Sequence, residues 1–235
     1  MTRLARNRDT HLTREEIAAE ALRQFDAGAT APSIRQLATA LDVAPSAIYH
    51  HYPSRAAIYQ AGVDLVWTEA TADVLELVPD PFNAPPQETL IAAGIASRRA
   101  FMRHYRIAPY ASATPAGEGM MANVIALVAS LLERIALRGE AAAGAFHTYA
   151  TFTFGTIIFA ATRQIAHEEL GGAVGDGSFS SAPGEREASF SSSATRTAID
   201  GVIDLSAIDP ERDEQLFADG LRRLVDGFVR EAADA

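Results

Sequence analysis

Apolar side chains recur at intervals of three and four residues along most of this chain, the spacing of an amphipathic helix. The first set is Ile17, Ala18, Ala21, Leu22 and Phe25, beginning after Thr13, which forms a capping box with Glu16. A loop containing Gly and Pro, Asp26–Pro32, separates it from Ile34, Leu37, Ala38 and Leu41, where Ser33 and Gln36 repeat the capping-box pattern. Asp42-Val43-Ala44 reads as a tight turn, and Pro45 suits the first turn of a further helix running to about Tyr52. That helix would turn Val43, Ala47 and Ile48 inward, leaving Ser46, Tyr49, His50 and His51 outward. Pro53-Ser54 breaks the chain before a long helix from Arg55 to about Val78, with Ile58, Gly62, Leu65, Ala72 and Leu75 on one face.

Beyond the breaker at Pro79–Pro86 the pattern predicts a helical body. Gln87–Tyr105 reads as a helix with Arg98, Arg99, Arg103 and Arg106 on its outer side. Pro109 and Pro115 bracket an irregular piece, after which Val124, Leu127, Val128, Leu131, Leu132 and Ile135 form a core stripe. The longest helix runs from Glu140 to about Leu170. It has no Asp, Glu or Arg between Ala141 and Thr162, a length that raises a membrane span. His147, five threonines and acid-rich flanks favour instead a helix buried by its own domain and by a partner subunit. Gly171–Ser193 is rich in Gly, Ser and Ala and reads as a mobile loop, followed by a weak helical signal at Thr195–Leu205. Asp209 and Pro210 open a last helix with the stripe Leu216, Phe217, Gly220, Leu221, Leu224, Val225 and Phe228. Nothing reads as a strand, so the fold class is all-α.

Composition changes this picture mainly by exclusion. The chain of 235 residues lacks cysteine, which excludes a disulfide scaffold and fits a cytoplasmic location. The basic N-terminus has no apolar run behind it and is not a secretory signal. A net charge of −10 is unusual for a DNA-binding protein until it is divided. Residues 1–55 carry seven arginines and six acids, whereas the remainder carries thirteen and twenty-four, so the acidity lies away from the N-terminal helices. Residues 1–12 form a basic arm, and every cation is Arg, which can fork onto phosphate or guanine. No Gly-x-Ser-x-Gly elbow, phosphate-binding glycine loop or Cys nucleophile is present, so no catalytic residue is expected. His147 and His167 lie too far apart to suggest a metal site, and His104 and His147 are expected to be structural, hydrogen-bonded histidines.

Two short helices joined by a tight turn, the second with a small polar start, match the needs of a helix-turn-helix. From IRQLA through the turn to AIYHHYPSR, with the amphipathic helix Thr13–Phe25 ahead of it, the chain resembles the tetracycline-repressor (TetR) family of transcriptional regulators. The resemblance implies a three-helix DNA-binding head over residues 1–54 and a helical ligand-binding and dimerisation body over 55–235. It places Arg35 at a position that reaches base edges or phosphate, Pro45, Ser46, Ala47 and His50 at base-facing positions, and Tyr49, His51 and Arg55 at phosphate-facing ones. Two residues depart from the family pattern: Asp42 stands where Gly is usual, and Ala44 stands where Ser or Thr commonly caps the recognition helix.

Residues 98–168 and 217–228 also resemble the body of the tetracycline repressors themselves. That branch holds its drug through a magnesium ion on a histidine ahead of a Thr-Pro pair. The matching residue here is Tyr110, so no metal or other cofactor is carried over. Trp67, Phe101, Tyr105, Tyr110, Met120, Met121, Phe146, Tyr149 and Phe152 remain as candidates to line an apolar pocket. The expected function is a homodimeric repressor, released from a palindromic double-stranded operator by a small apolar or amphipathic effector, with no membrane partner. The competing reading is an all-α ligand-binding or enzymatic bundle with a vestigial helix-turn-helix, for which Asp42 and Ala44 are the basis.

Overall fold

A computed structural model describes residues 12–111, 119–169 and 210–234. The basic arm, Thr114-Pro115, the Gly/Ser-rich stretch, the signal at Thr195–Leu205 and the cap at Asp209 therefore lie outside the described residues. Within them the chain forms α1 (Arg14–Asp26), α2 (Ile34–Leu41), α3 (Pro45–His51), α4 (Arg55–Leu77) and α5 (Pro86–Arg103). The short α6 (Ala108–Ala111), α7 (Gly119–Arg134), α8 (Gly139–Glu169) and α9 (Pro210–Ala233) follow. Among the described residues there is no strand, and no helix is long and apolar enough to cross a membrane.

The first three helices start and stop where local chemistry dictates. Thr13 Oγ1 accepts from the Glu16 N–H at 3.1 Å while Glu16 Oε2 accepts from the Thr13 N–H at 2.9 Å. Ser33 and Gln36 repeat the exchange at 3.2 and 2.8 Å, so two otherwise orphan donors are satisfied at each start. α2 ends on Asp42 in the left-handed conformation, φ 57° and ψ 44°. This is where a glycine would be unstrained, and where Asp fits better than most residues because its short side chain can bond locally. Ala44 supplies no side-chain cap to α3, and Pro45 begins the helix at a position that needs no N–H. Asp42→Gly and Ala44→Ser should each stabilise the head by about 1 kcal/mol. Urea denaturation would show this as a raised midpoint with an unchanged slope.

The head core consists of Ile17, Ala21, Leu37, Ala38, Ile48, Tyr52 and Ile58. Ile58 belongs to α4, with Ala57 and Ala61 packed alongside, so the first two turns of α4 complete the head. Of the expected inward residues of α3, Ile48 is fully buried, whereas Val43 and Ala47 are half-buried. α4 then continues into the body, spanning about 35 Å at 1.5 Å per residue. Its buried face is Tyr59, Val63, Val66, Trp67, Ala70 and Val74; Ala72 and Leu75, expected on the core face, are exposed. A 3.6-residue repeat carries that stripe around the helix over five turns, so a face drawn through Ile58 leaves the core before Leu75.

Two clusters fill the body. One joins Trp67 of α4, Phe101 of α5, Met121 of α7 and Ile157 of α8. The other joins Leu90 of α5, Leu131 and Leu132 of α7, Tyr149 of α8 and Phe217, Leu221, Val225 and Phe228 of α9. α5 runs through the middle and contacts α4, α7, α8 and α9. Gly94 permits this: a Cβ there would run into the Leu221 side chain and lie 3.2 Å from the Tyr149 hydroxyl. The breaker between α4 and α5 is pinned by Arg134, whose guanidinium donates to Pro81 O at 3.1 Å and Ala84 O at 2.6 Å.

Arg98 corrects the sequence expectation of an outer arginine face. It is only 4% exposed, pairs with Asp213 of α9, donates to Thr156 O at 3.3 Å and lies 5.0 Å from the Phe217 ring centroid. The apolar repeat of α5 is wide enough to bury a flank that begins with this Arg, because α9 covers that flank. Arg99 and Arg103 do face outward, pairing with Glu214 and with Glu69 and Asp73. Leu221 is likewise fully buried within the chain, while Leu216 of the same stripe is 42% exposed. The stripe of α9 therefore has an inner half and an outer half.

Candidate nucleic-acid interface and body cavity

α3 presents Pro45, Ser46, Tyr49 and His50 as an exposed surface, with Ala47 and His51 half-buried beside them. The Tyr49 ring is 56% exposed and is not packed beneath α1. Arg35 on α2 and Arg55 at the start of α4 are exposed on either side of α3 in sequence. Arg55 sits 5.7 Å from the Tyr59 ring centroid, and Ser54 caps the same helix by accepting from the Ala57 N–H at 3.2 Å. A short helix with a polar exposed start, flanked by guanidinium groups, has the shape and charge to enter a major groove and meet phosphates beside it.

The end of α3 is fastened by a residue that the helical pattern does not single out. Tyr52 is buried, its hydroxyl donates to Arg14 O at 3.0 Å, and the Arg14 guanidinium stacks 4.3 Å from its ring. Arg14 also donates to His51 O at 2.7 Å, which satisfies a carbonyl of the last turn. Arg14 and Tyr52 are 38 residues apart, so no local signal reveals the pair. Tyr52→Phe should lower head stability by about 1 kcal/mol, the worth of one hydrogen bond. Thermal denaturation of the full chain would register the change.

Head and body meet through aromatic rings. Phe25 of α1, Tyr59 of α4 and Tyr110 of α6 pack mutually, with centroids 4.9 to 5.3 Å apart. Tyr59 donates to Pro32 O at 2.7 Å and Tyr110 to Thr30 O at 3.2 Å, so both hydroxyls tie the α1–α2 loop to the body. His104 adds a polar bridge, its ring nitrogens 3.0 Å from Asp26 and 3.1 Å from Glu69. The expectation of a hydrogen-bonded structural histidine holds for His104, whereas His147 is exposed on α8.

The body contains a cavity of about 40 Å³ between α4, α5, α7 and α8. Trp67, Phe146 and Tyr149 of the expected aromatic set line it, and Met121 joins them. Phe101 lies behind the wall, its ring 4.9 Å from that of Trp67. Tyr105 is directed elsewhere, donating to Glu168 at 2.6 Å; together with Gln164 and Arg106 it holds that carboxyl below the usual range. Tyr110 belongs to the head–body junction, and Met120 packs against the first body cluster without reaching the cavity wall. Thr153, Ser97 and Phe154 line the cavity and were missed. For Thr153 the signal was available: it shares one helix face with Tyr149, Ile157 and Ala160, all buried. Asp64, one turn before Trp67, accepts from the Met120 N–H at 3.3 Å at the start of α7, and burial pushes its carboxyl up.

Comparison with known proteins places the head and the whole fold. Residues 17–61 match the family model described as bacterial regulatory proteins, tetR family. No curated protein matches the chain by sequence. Among solved structures, apo ActR from Streptomyces coelicolor is 22% identical with a TM-score of 0.67, over 95% of this chain and 97% of that one. ActR in complex with actinorhodin gives 22% and 0.67, over 93% and 95%. SCO7222, a TetR from the same organism, gives 20% and 0.67, over 93% and 98%. These structures share the fold of this chain, and its head at residues 17–61 matches the model of the tetR family of bacterial regulatory proteins.

Proposed function

We propose that this protein is a ligand-responsive, non-enzymatic transcriptional repressor of the cytoplasm. It would act as a homodimer, released from a palindromic operator when a small apolar or amphipathic molecule enters the body cavity. The observation that carries this reading is the continuity of α4: Arg55 at its start stands beside the exposed face of α3, and Trp67 of the same helix forms the cavity wall. About 18 Å of unbroken helix separates them, so a shift of α4 at the cavity is delivered to the head. ActR, which shares the fold, has been crystallised with actinorhodin and with (S)-DNPA, and this supports a ligand-binding body here. A ligand acts in this way only if it binds the two head positions with different affinity. Functionally the chain divides into a DNA-binding unit over residues 1–54 and a ligand-binding and dimerisation unit over 55–235, with the first turns of α4 shared.

In this reading Arg35 reaches base edges or phosphate, Pro45, Ser46, Ala47 and His50 face bases, and Tyr49, His51 and Arg55 face phosphates. The two roles separate by salt dependence. Each phosphate contact contributes about 0.9 to the slope of log affinity against log salt, so Arg55→Ala in a dimer should flatten the slope by about 2. It should weaken operator and random DNA alike. Ser46→Ala should leave the slope unchanged and weaken only the operator, by about 1–3 kcal/mol for each base pair no longer read. Fluorescence anisotropy with both DNAs at several salt concentrations tests this. An unchanged slope for Arg55→Ala, or equal weakening of both DNAs by Ser46→Ala, refutes the assignment. Absence of binding to any duplex at low salt would favour the vestigial head.

A further inference from the structure

Among the described residues the cavity wall carries no charged side chain, and two of its polar groups have no hydrogen-bond partner: the Trp67 indole Nε1 and the Thr153 Oγ1. Both side chains are at least 97% buried. Thr153 is unlike its neighbours, since Thr148 and Thr156 on the same helix satisfy their hydroxyls by donating to Gly144 O and Phe152 O, each at 2.8 Å. The other polar groups on the wall have already spent their protons. Ser97 donates to Ala93 O at 2.7 Å, and Tyr149 donates to Leu90 O at 2.8 Å, its phenol pushed far up by burial and so kept neutral. A buried polar group without a partner carries the full penalty of its lost hydration, so such groups in an apolar cavity mark where a ligand atom belongs. An indole N–H is only a donor, and a hydroxyl is a donor as well as an acceptor.

Resting on the effector reading above, we propose that the ligand is a neutral, largely aromatic carbonyl compound whose oxygen accepts from the Trp67 N–H and the Thr153 hydroxyl. The wall disfavours a carboxylate, because none of the described residues there would neutralise a buried negative charge. An all-hydrocarbon ligand would leave both donors unpaired. The free space, about 40 Å³, accepts the centres of only a few water-sized groups, so the ligand must part the helices that form the wall. Trp67 lies on α4, which makes the recognition group and the transmitting helix the same element.

Three probes of matched shape test the class: 2-acetylnaphthalene, the hydrocarbon 2-isopropylnaphthalene and the anion 2-naphthoate. Trp67 is the only tryptophan of the chain, so its fluorescence reports occupancy at this wall, and calorimetry gives the affinities. The ketone should bind about tenfold more tightly than the hydrocarbon, with the anion weakest. Thr153→Val and Trp67→Phe should each weaken the ketone about fivefold and leave the hydrocarbon nearly unchanged. In the ligand-free protein Thr153→Val should raise the melting midpoint by about 2–4 °C, since it removes an unsatisfied hydroxyl at nearly constant volume. Equal affinity for ketone and hydrocarbon, preference for the anion, binding of none of the three, or a lowered midpoint for Thr153→Val each overturns the proposal. Anisotropy on operator DNA with the same probes separates the two readings. A ketone that binds selectively but does not release DNA overturns the effector role and leaves the ligand class standing. Release by the hydrocarbon as readily as by the ketone overturns the ligand class alone.

Discussion

Asp213→Ala should destabilise the protein by about 3 kcal/mol, lowering the melting midpoint by about 6–12 °C. The Arg98 guanidinium that Asp213 neutralises is nearly inaccessible, and burial pulls its pKa below the usual range while Asp213 opposes the shift. Removing the carboxylate strands a positive charge between α5, α8 and α9, where the Thr156 carbonyl and the Phe217 ring remain in contact and Glu214 offsets part of the charge from further off. Arg163, 3.2 Å from the same carboxylate, would lose its partner as well and increase the local repulsion. Two controls fix the interpretation. Glu214→Ala, which breaks the exposed pair with Arg99, should cost no more than about 0.5 kcal/mol. Adding Arg98→Met to Asp213→Ala should recover most of the loss, because a buried pair replaced whole by apolar atoms is close to neutral. If Asp213→Ala were as mild as Glu214→Ala, or if the second substitution recovered nothing, the pair would not be what holds α9 onto the body.

Replacing Phe159 and Leu216 together by Glu should give a folded monomer whose operator affinity is reduced at least about 100-fold. Phe159 is 69% exposed on α8, and Leu216 is exposed on α9. Around Phe159 the outer side of α8 is made of Gly144, Thr148, Thr151, Gly155 and Thr162, and its nearest charge is the Arg163 guanidinium, 5.9 Å from the Phe159 ring centroid. Gly144 and Gly155 have open space where a Cβ would stand, so another helix could approach closely there. A large exposed apolar group beside small, uncharged side chains, with Arg at its edge, is the surface feature expected of an interface. A monomer keeps one recognition helix and can no longer engage the second half-site, which accounts for the fall in affinity. Leu221→Glu makes the contrast, because Leu221 is fully buried within the chain itself and a charge there should unfold the body. Analytical ultracentrifugation and circular dichroism distinguish the cases. A dimeric, tightly binding Phe159→Glu, Leu216→Glu variant would place the interface elsewhere, and a folded, monomeric Leu221→Glu variant would show that the inner half of the stripe had been assigned to the wrong partner.

Local chemistry determined most of the head. Both capping boxes, the left-handed turn at Asp42, the proline start of α3 and the exposure of Ser46, Tyr49 and His50 follow from side chains within four residues of one another. The body helices are legible for the same reason, since a 3.6-residue repeat needs no knowledge of what the apolar face meets. Sequence cannot tell which of two apolar faces is covered by the chain itself. α9 shows this plainly: Leu216 and Leu221 belong to one unbroken stripe, yet only the placement of α5 and α8 buries the second and leaves the first outside. Arg98 was misplaced for the complementary reason, because an Arg is written as a surface residue until a partner 115 positions away removes the cost of burying it. The aromatic inventory divided along the same line. Trp67, Phe146 and Tyr149 line the cavity, while Tyr110 joins the head to the body and Tyr105 leans on Glu168. Only tertiary packing could separate them, because each ring satisfies the same helical repeat, and the distinction rests on which helix crosses above it.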